Sequence, residues 1–299
     1  MRVLRKRAIA LLITVMFVML ITVAIGFGLK QINKSAAMLS NENFMYQSSI
    51  IVEDILNILQ NSQDVARVAD ANSSTELFVL LSQASFIPFE IADMSVVLKL
   101  SSARAKFNPS TLDTKTTEAL REYMNIKMVN TQYVDILLDA MSGIKADASY
   151  NSRIFDEMPY LFRDHIASQE HLEQLNIFYA QEFNDNALQN VDFEKLFYYS
   201  NDANASIDLN FATAQTWELM LGTTLQRAEF LAQNAGAYET LESLGLQEDE
   251  QERLARFKTS FFEPVLFVEL EMHQADKEAY VSFEYDIKKK KGSNFVYEI

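Results

Sequence analysis

The chain of 299 residues has no cysteine. That excludes disulfide frameworks, cysteine zinc sites, iron–sulfur ligation and thiol nucleophiles, so any part outside the cytoplasm must fold by packing alone. Glycine is scarce as well, at seven residues, where an average usage of about 7% would supply roughly three times as many. Phosphate-cradling loops, tight barrels and turn-dense sandwiches all need more, and helix is expected to dominate. Neither glycine nor proline occurs between Gly28 and Pro88, so nothing there forces an upstream helix to stop. The chain has no Gly-x-Ser-x-Gly, no phosphate loop and no His-Glu-x-x-His, and Gly26-Phe27-Gly28 lacks the third glycine of a dinucleotide fingerprint. No enzymatic activity is expected. His165 and His171 are six apart, a poor helical spacing for joint metal ligation, and are read as surface or cap residues; His273 lies near a strand turn.

What is present is a chain 49% apolar and 22% charged, enough for a sizeable core in one or two domains. Its net charge of −15 is unevenly placed. Residues 1–34 hold six basic side chains (Arg2, Arg5, Lys6, Arg7, Lys30, Lys34) and no acidic one, leaving 20 basic against 41 acidic residues, a net of −21, for the rest. Such a head repels nucleic-acid phosphate and anionic lipid, and nucleic acid is not an expected partner.

Ala8 to Leu29 carries no charge and would span about 33 Å as a helix, enough for a bilayer core of about 30 Å. The four basic residues before it place the N-terminus in the cytoplasm and the large remainder outside. A cleaved secretory signal is the competing reading. The apolar run exceeds the roughly 7 to 15 residues of such signals, and Lys30-Gln31-Ile32-Asn33-Lys34 offers no small-x-small cut site, which favours a retained anchor. Phe44, Met45, Ile51, Ile55, Ile58 and Leu59 recur at three- and four-residue spacing among polar residues. The helix is therefore expected to continue outward as an amphipathic rod.

A short basic leader (Arg2 to Arg7), a small residue (Ala8) and Ile9-Ala10-Leu11-Leu12-Ile13-Thr14-Val15 opening a long apolar helix resemble a prepilin-type signal. In that family a prepilin peptidase cuts after the small residue, here between Ala8 and Ile9, and the helix remains as anchor and assembly stalk. Most members carry Glu as fifth mature residue. That place falls on Ile13, and absence of the Glu marks the K-type minor pseudopilins of type II secretion systems. Usually Gly precedes the cut, so Ala8 departs from the pattern. Three further segments are similar to the same family. Ala105-Lys106-Phe107-Asn108-Pro109-Ser110-Thr111-Leu112, after the strand-like Val96 to Leu100, resembles Lys-apolar-Asn-x-Asn-Thr-Leu, with Ser110 for the second Asn. Ser206 to Ala214 resembles Ile-Asn-x-Asn-Thr-Ala, with Asp208 for Asn and Phe211 for Thr. Thr259-Ser260-Phe261-Phe262 resembles the Ser-x-Tyr/Phe-Phe that leads into a C-terminal sheet.

In the head, Thr117 to Met128, Val134 to Met141, Glu170 to Tyr179 and Phe193 to Tyr198 show helical apolar stripes interrupted by Gly143 and Pro159. Ala212 to Met220 and Leu225 to Asn234, with Gly222, Gly236 and Gly245, read as a helix-hairpin-helix. Arg227 against Glu218 and Glu229 suits packing or partner docking, not a DNA backbone. Alternation at Leu266 to Met272 and Ala279 to Ile287, with Phe295 to Ile299, predicts a three-stranded antiparallel meander with one face on the N-terminal helix and one in water. Lys288 to Lys291 reads as a charged hairpin turn. The expected fold is α+β and pilin-like: a long N-terminal membrane-spanning helix packed on an antiparallel sheet, with a large helical insertion. The divisions are leader 1–8, transmembrane half-helix 9–29, outer half-helix and first strand region 30–108, helical insertion 109–203, hairpin-like segment 204–262 and C-terminal strands 263–299.

Glu182, Asp185, Asp192 and Glu194 belong to the richest oxygen cluster of the insertion, and Ca²⁺ takes roughly six to eight oxygen ligands. Their spacing is not that of an EF-hand, and a solvated acidic loop is the favoured reading. The resemblance implies that calcium can bind in this helical part without assigning ligands. It also implies a subunit at the tip of the periplasmic pseudopilus that drives protein export across the outer membrane. Its partners would be other minor pseudopilins, the pseudopilus, the prepilin peptidase and the inner membrane, with a cytoplasmic N-terminus and a periplasmic head. A minor pilin of a type IV pilus or DNA-uptake machine is the neighbouring reading. A membrane-anchored periplasmic sensor or adaptor is disfavoured, because only seven residues precede the anchor and no second spanning run follows.

Overall fold

The computed structural model describes residues 41–91, 93–147 and 149–298. The leader with Ala8, Ile9 and Ile13, and the apolar segment Ala8–Leu29, lie outside the described residues. Among the described residues no helix is long and apolar enough to cross a membrane.

Helix α1 covers residues 41–61. Its buried stripe is Phe44, Ser48, Ile51, Val52, Ile55 and Leu59, the three- and four-residue spacing that keeps one face on a core. Ser48 is tolerated there because its Oγ donates to the Phe44 carbonyl at 2.9 Å. The rod does not run on. Ser62 caps α2 (Gln63–Ala71) by accepting from the Val65 N–H, Asn72 ends it in the left-handed region at φ 50°, and Ser73 caps α3 (Ser74–Ala84).

Strands β1 (Phe86–Ile91) and β2 (Met94–Ser102) form an antiparallel hairpin. The pattern predicted only the second. Pro88 lowers the strand signal of the first, and it is accommodated because β1 lies at the sheet edge, where one ladder donor is dispensable. After β2 the chain leaves the sheet. It builds α4 (Thr114–Ile126), α5 (Gln132–Met141), α6 (Ile154–Glu157), α7 (Gln169–Phe183) and α8 (Phe193–Leu196). Then come β3 (Ile207–Asp208), α9 (Ala214–Leu221), α10 (Leu225–Gln233), α11 (Glu248–Leu254) and β4 (Thr259–Ser260), which pairs with β3 in parallel. Asp113 starts α4 with a reciprocal capping box to Thr116. The chain then completes the sheet with β5 (Val265–Gln274), β6 (Lys277–Asp286) and β7 (Lys291–Glu298), in the all-antiparallel order β1-β2-β5-β6-β7. Residues 103–264 are thus an excursion between two neighbouring strands.

Two cores result. Leu266, Val268, Leu270 and Met272 of β5 and Ala279, Val281, Phe283 and Tyr285 of β6 face the α1 stripe with α2 and α3, as period-two alternation dictates. The helical excursion has its own core, with Tyr133 edge-on to Tyr179 at 5.4 Å and Trp217 fully buried. The expectation of one sheet face in water is corrected. Ser282 and Glu284 on the other face of β6 are buried, because the helical lobe folds back over them.

A close approach of the hairpin α9–α10 to α3 falls at Gly236. Its φ is +79°, a Cβ there would lie 2.9 Å from Phe78 Cβ, and Thr75 Oγ1 donates to its carbonyl at 3.4 Å. Gly236→Ala is expected to lower stability by about 1–2 kcal/mol from the left-handed backbone alone. Gly143→Ala, where a Cβ meets nothing within 4 Å, serves as the near-neutral control in the same urea titrations.

Candidate interaction surfaces

The two lobes meet at Arg104, just past the end of β2. Its side chain is 8% exposed and bonds to the Glu284 carboxylate of β6 at 2.9 Å, itself 5% exposed. It also donates to Tyr198 Oη at 2.8 Å and lies 3.8 Å from Asp202. Asn294 of β7 completes the group by donating to Glu284 Oε1 and to Ser200 Oγ, each at 2.9 Å. Burial alone would lower the Arg104 pKa, but Tyr198, Glu284 and Asp202 outweigh it and hold it above its usual value. A buried charge is kept here because it is paired with a carboxylate and hydrogen-bonded.

The Ser206 to Ala214 segment ties distant parts of the helical lobe to one another. Asn210 Nδ2 donates to the carbonyls of Tyr238 at 2.8 Å and Phe261 at 2.7 Å, and its Oδ1 accepts from the Tyr238 N–H at 2.8 Å. Asp208 accepts from the backbone of Asn210 at 2.9 Å and of Glu263 at 2.8 Å. Burial nevertheless raises its pKa to about 7, since two N–H groups do not replace water around a carboxylate.

A cleft of about 400 Å³ remains at the seam, between β5, β6 and β7, the first turn of α7 and the segment 194–199. Lys106 lines it, and burial lowers the pKa of that ammonium against the pull of Glu269, Glu194 and Asp192. Glu170 of α7 and Glu298 of β7 also line the cleft. Burial and the Glu170 charge raise the Glu298 pKa, whereas the Ser168 hydroxyl lowers that of Glu170. The polar walls are largely bonded to each other, as Tyr280 to Glu269 at 2.7 Å and Tyr199 to Gln169 at 2.6 Å show.

The four acidic residues singled out in the sequence each have local roles. Glu182 pairs with Arg153 at 2.7 Å; Asp185 accepts from Tyr179 Oη and from the Ala187 N–H; Asp192 caps α8 and holds Lys195 at 2.8 Å; Glu194 lines the cleft beside Lys106. Among the described residues no group of three or more His, Asp or Glu side chains is placed to hold a metal ion. His165 and His171 do approach each other, both edge-on to Phe162 at 5.0 and 5.7 Å. His171 is buried, not a surface residue. Its Nδ1 accepts from the Ala167 N–H, and burial lowers its pKa. In the hairpin, Arg227 is committed to Glu250 and the Gly245 carbonyl, and Glu218 to Lys127. The Arg227 guanidinium is thus held within the fold and not offered to an outside phosphate.

The outer surface of the sheet layer is unusually apolar along its flanks. The solvent side of α1 shows Met45, Tyr46 (67% exposed), Ile50 and Ile58 (61% exposed). Near it β7 presents Phe295 and Tyr297, stacked in sequence on buried Phe283 at 5.0 and 6.4 Å, and Gly292 lies against Leu56 of α1. On the other flank α3 and β1 expose Phe78, Val79, Phe86, Ile87 and Ile91. Apolar side chains gathered like this on a folded protein mark contact surfaces. The periodicity counted Met45 and Ile58 in the apolar stripe of α1, whereas the structure turns both to solvent, and it did not single out Tyr46 or Ile50. Those of β1 were missed because that strand escaped the pattern, and Arg104 and Glu284 carry no motif that separates them from solvent-facing charges.

No family model matches this chain, and no curated protein is similar to it in sequence. Its structure is similar to one solved in the crystal structure of the GspK-GspI-GspJ complex from the type 2 secretion system of enterotoxigenic Escherichia coli. The TM-score is 0.52 at 12% identity, covering 87% of this chain and 97% of that one. At that identity the likeness is one of fold: the chain has the pseudopilin-like α+β architecture that its motifs resemble.

Proposed function

We propose that the chain is a minor pseudopilin of a type II secretion system, of the K-type, anchored in the inner membrane with its head in the periplasm. The observation that carries this is the conjunction of the basic leader and apolar run at residues 2–29 with a fold like that of a component of a minor-pseudopilin complex. The subunit acts by assembly, not catalysis. Prepilin peptidase cuts between Ala8 and Ile9, anchor helices pack side by side, and the apolar flanks of α1, β7, α3 and β1 bury against other minor pseudopilins. The helical lobe at residues 103–264 is too bulky to lie under a following subunit, which suits the fibre tip. Ile13 in place of the usual Glu suits the same position, because a tip subunit has no predecessor's amino terminus to engage.

Two measurements test this. Intact mass of the membrane-extracted protein is expected to drop by residues 1–8 only when the peptidase is present; an uncut chain, or a cut beyond Leu29, overturns the reading. Co-purification with the other minor pseudopilins of the same secretion system is expected for the parent chain. It should weaken by about tenfold or more for Phe86→Asp or Ile58→Asp, since a charge forced into an apolar interface costs upwards of ~1.4 kcal/mol. Association with type IV pilus components instead would assign the chain to that machinery.

A further inference from the structure

We propose that a second cavity, distinct from the seam cleft, binds a small oxyanion of the carboxylate or phosphate type. It holds about 300 Å³ between the turn at Pro109–Thr111, the start of α4 and the stretch that follows α11, and its lining includes Ser110, Asp113, Arg256 and Lys258. The Ser110 hydroxyl is buried there without any protein partner. Buried polar groups in folded proteins nearly always have one, and an orphan beside a cavity asks what the cavity holds.

The charges around the hydroxyl answer in one sense. Arg256 bonds through a single Nη1 contact to Glu122 at 3.1 Å, and Lys258 gives one hydrogen bond to the Asn204 carbonyl. Each cation has further donors, because a guanidinium carries five N–H groups and an ammonium three. The nearby anion is already occupied: Asp113 Oδ1 accepts from the Lys115 N–H at 2.8 Å, the Thr116 N–H at 2.9 Å and the Thr116 hydroxyl at 2.9 Å. Those bonds lower its pKa, so the carboxylate stays ionised at the α4 terminus. Arg256 and Lys258 against Asp113 still leave the cavity lining with a net charge of +1, in a chain whose residues 35–299 sum to −21. A water would satisfy Ser110 alone; an oxyanion satisfies Ser110, Arg256 and Lys258 together. The volume sits at the lower end of small-molecule sites, which suits one small anion and not a polymer.

The test is calorimetric titration of the full chain in detergent with inorganic phosphate and, separately, with succinate. Saturable binding of one equivalent of either is expected, and the preferred titrant assigns the phosphate or carboxylate class. Ser110→Asn, which extends a longer side chain toward the cavity, and Lys258→Met are each expected to weaken binding by about tenfold or more, the cost of one charge-assisted hydrogen bond. Lys145→Met, remote from the cavity in sequence and outside its lining, is expected to leave it unchanged. Unfolding midpoints of the two site variants, measured in parallel, establish that they are folded. Absence of saturable heat with both anions, or equal affinity in the parent and both folded site variants, overturns the proposal and leaves the cavity to water.

Discussion

Arg104→Met is expected to destabilise the head by about 3 kcal/mol or more, because it leaves the Glu284 carboxylate buried with Asn294 as its remaining side-chain donor. The loss is not the worth of the ion pair. It is mostly the cost of a buried charge without its countercharge, which low dielectric makes larger than the pair's net gain. The double variant Arg104→Met/Glu284→Leu is therefore expected to recover most of the loss, as uncharged groups of similar volume replace a pair whose desolvation was never fully offset. Arg104→Lys recovers less, since one ammonium cannot serve Glu284 and Tyr198 with the guanidinium's two-nitrogen geometry. Urea unfolding of the three variants decides it. A double variant as unstable as Arg104→Met would mean that lobe docking, not the orphaned charge, carries the effect.

Asp208 is expected to make the head less stable as pH rises from about 4 to about 7. Its pKa moves from 3.8 in the unfolded chain to about 7 in the fold, chiefly by burial, with the Glu263 carboxylate adding to the rise. Between those values the folded state holds the extra proton, so stability falls with increasing pH and the full cost is reached above 7. Three pKa units correspond to about 4 kcal/mol, an upper figure since a buried site relaxes as it ionises. Asp208→Asn removes this titration. The variant is expected to lose the slope across that window and to exceed the parent in stability at pH 8, despite giving up one of the two backbone bonds. Denaturant midpoints measured at pH 4.5, 6, 7 and 8 for both chains would show two parallel profiles if burial did not raise this carboxyl.

How far each feature could be read in the sequence follows from whether its signal is local. The α1 stripe, the alternation of β5 and β6 and the Lys288 to Lys291 turn depend on side-chain period and turn chemistry within a few residues. They emerge close to where the pattern puts them. Caps that divide α1, α2 and α3 are local as well, but Ser62, Asn72 and Ser73 are ordinary polar residues marked by neither glycine nor proline, and the amphipathic stripe was read only as far as Leu59, without the two helices beyond it. β1 was hidden by Pro88, whose strand penalty vanishes only at an edge, and being an edge is a property of the sheet.

By itself the sequence determined the class of this protein: helix-rich, without cysteine or enzyme motifs, acidic in its head and basic only around one apolar run, with strands gathered at the C-terminus. Composition and period set those properties because each residue contributes to them without reference to distant ones. Only the tertiary structure decided that β2 and β5 are neighbours across 162 intervening residues. It alone decided that the supposedly solvated face of β6 carries Glu284 to Arg104, that the acidic residues of the insertion are spent on caps and ion pairs, and that Ser110 borders a cationic cavity. Each of these depends on which surfaces meet when the helical lobe folds back on the sheet. Contact of that kind is decided by packing between residues far apart in the chain, and no local period encodes it.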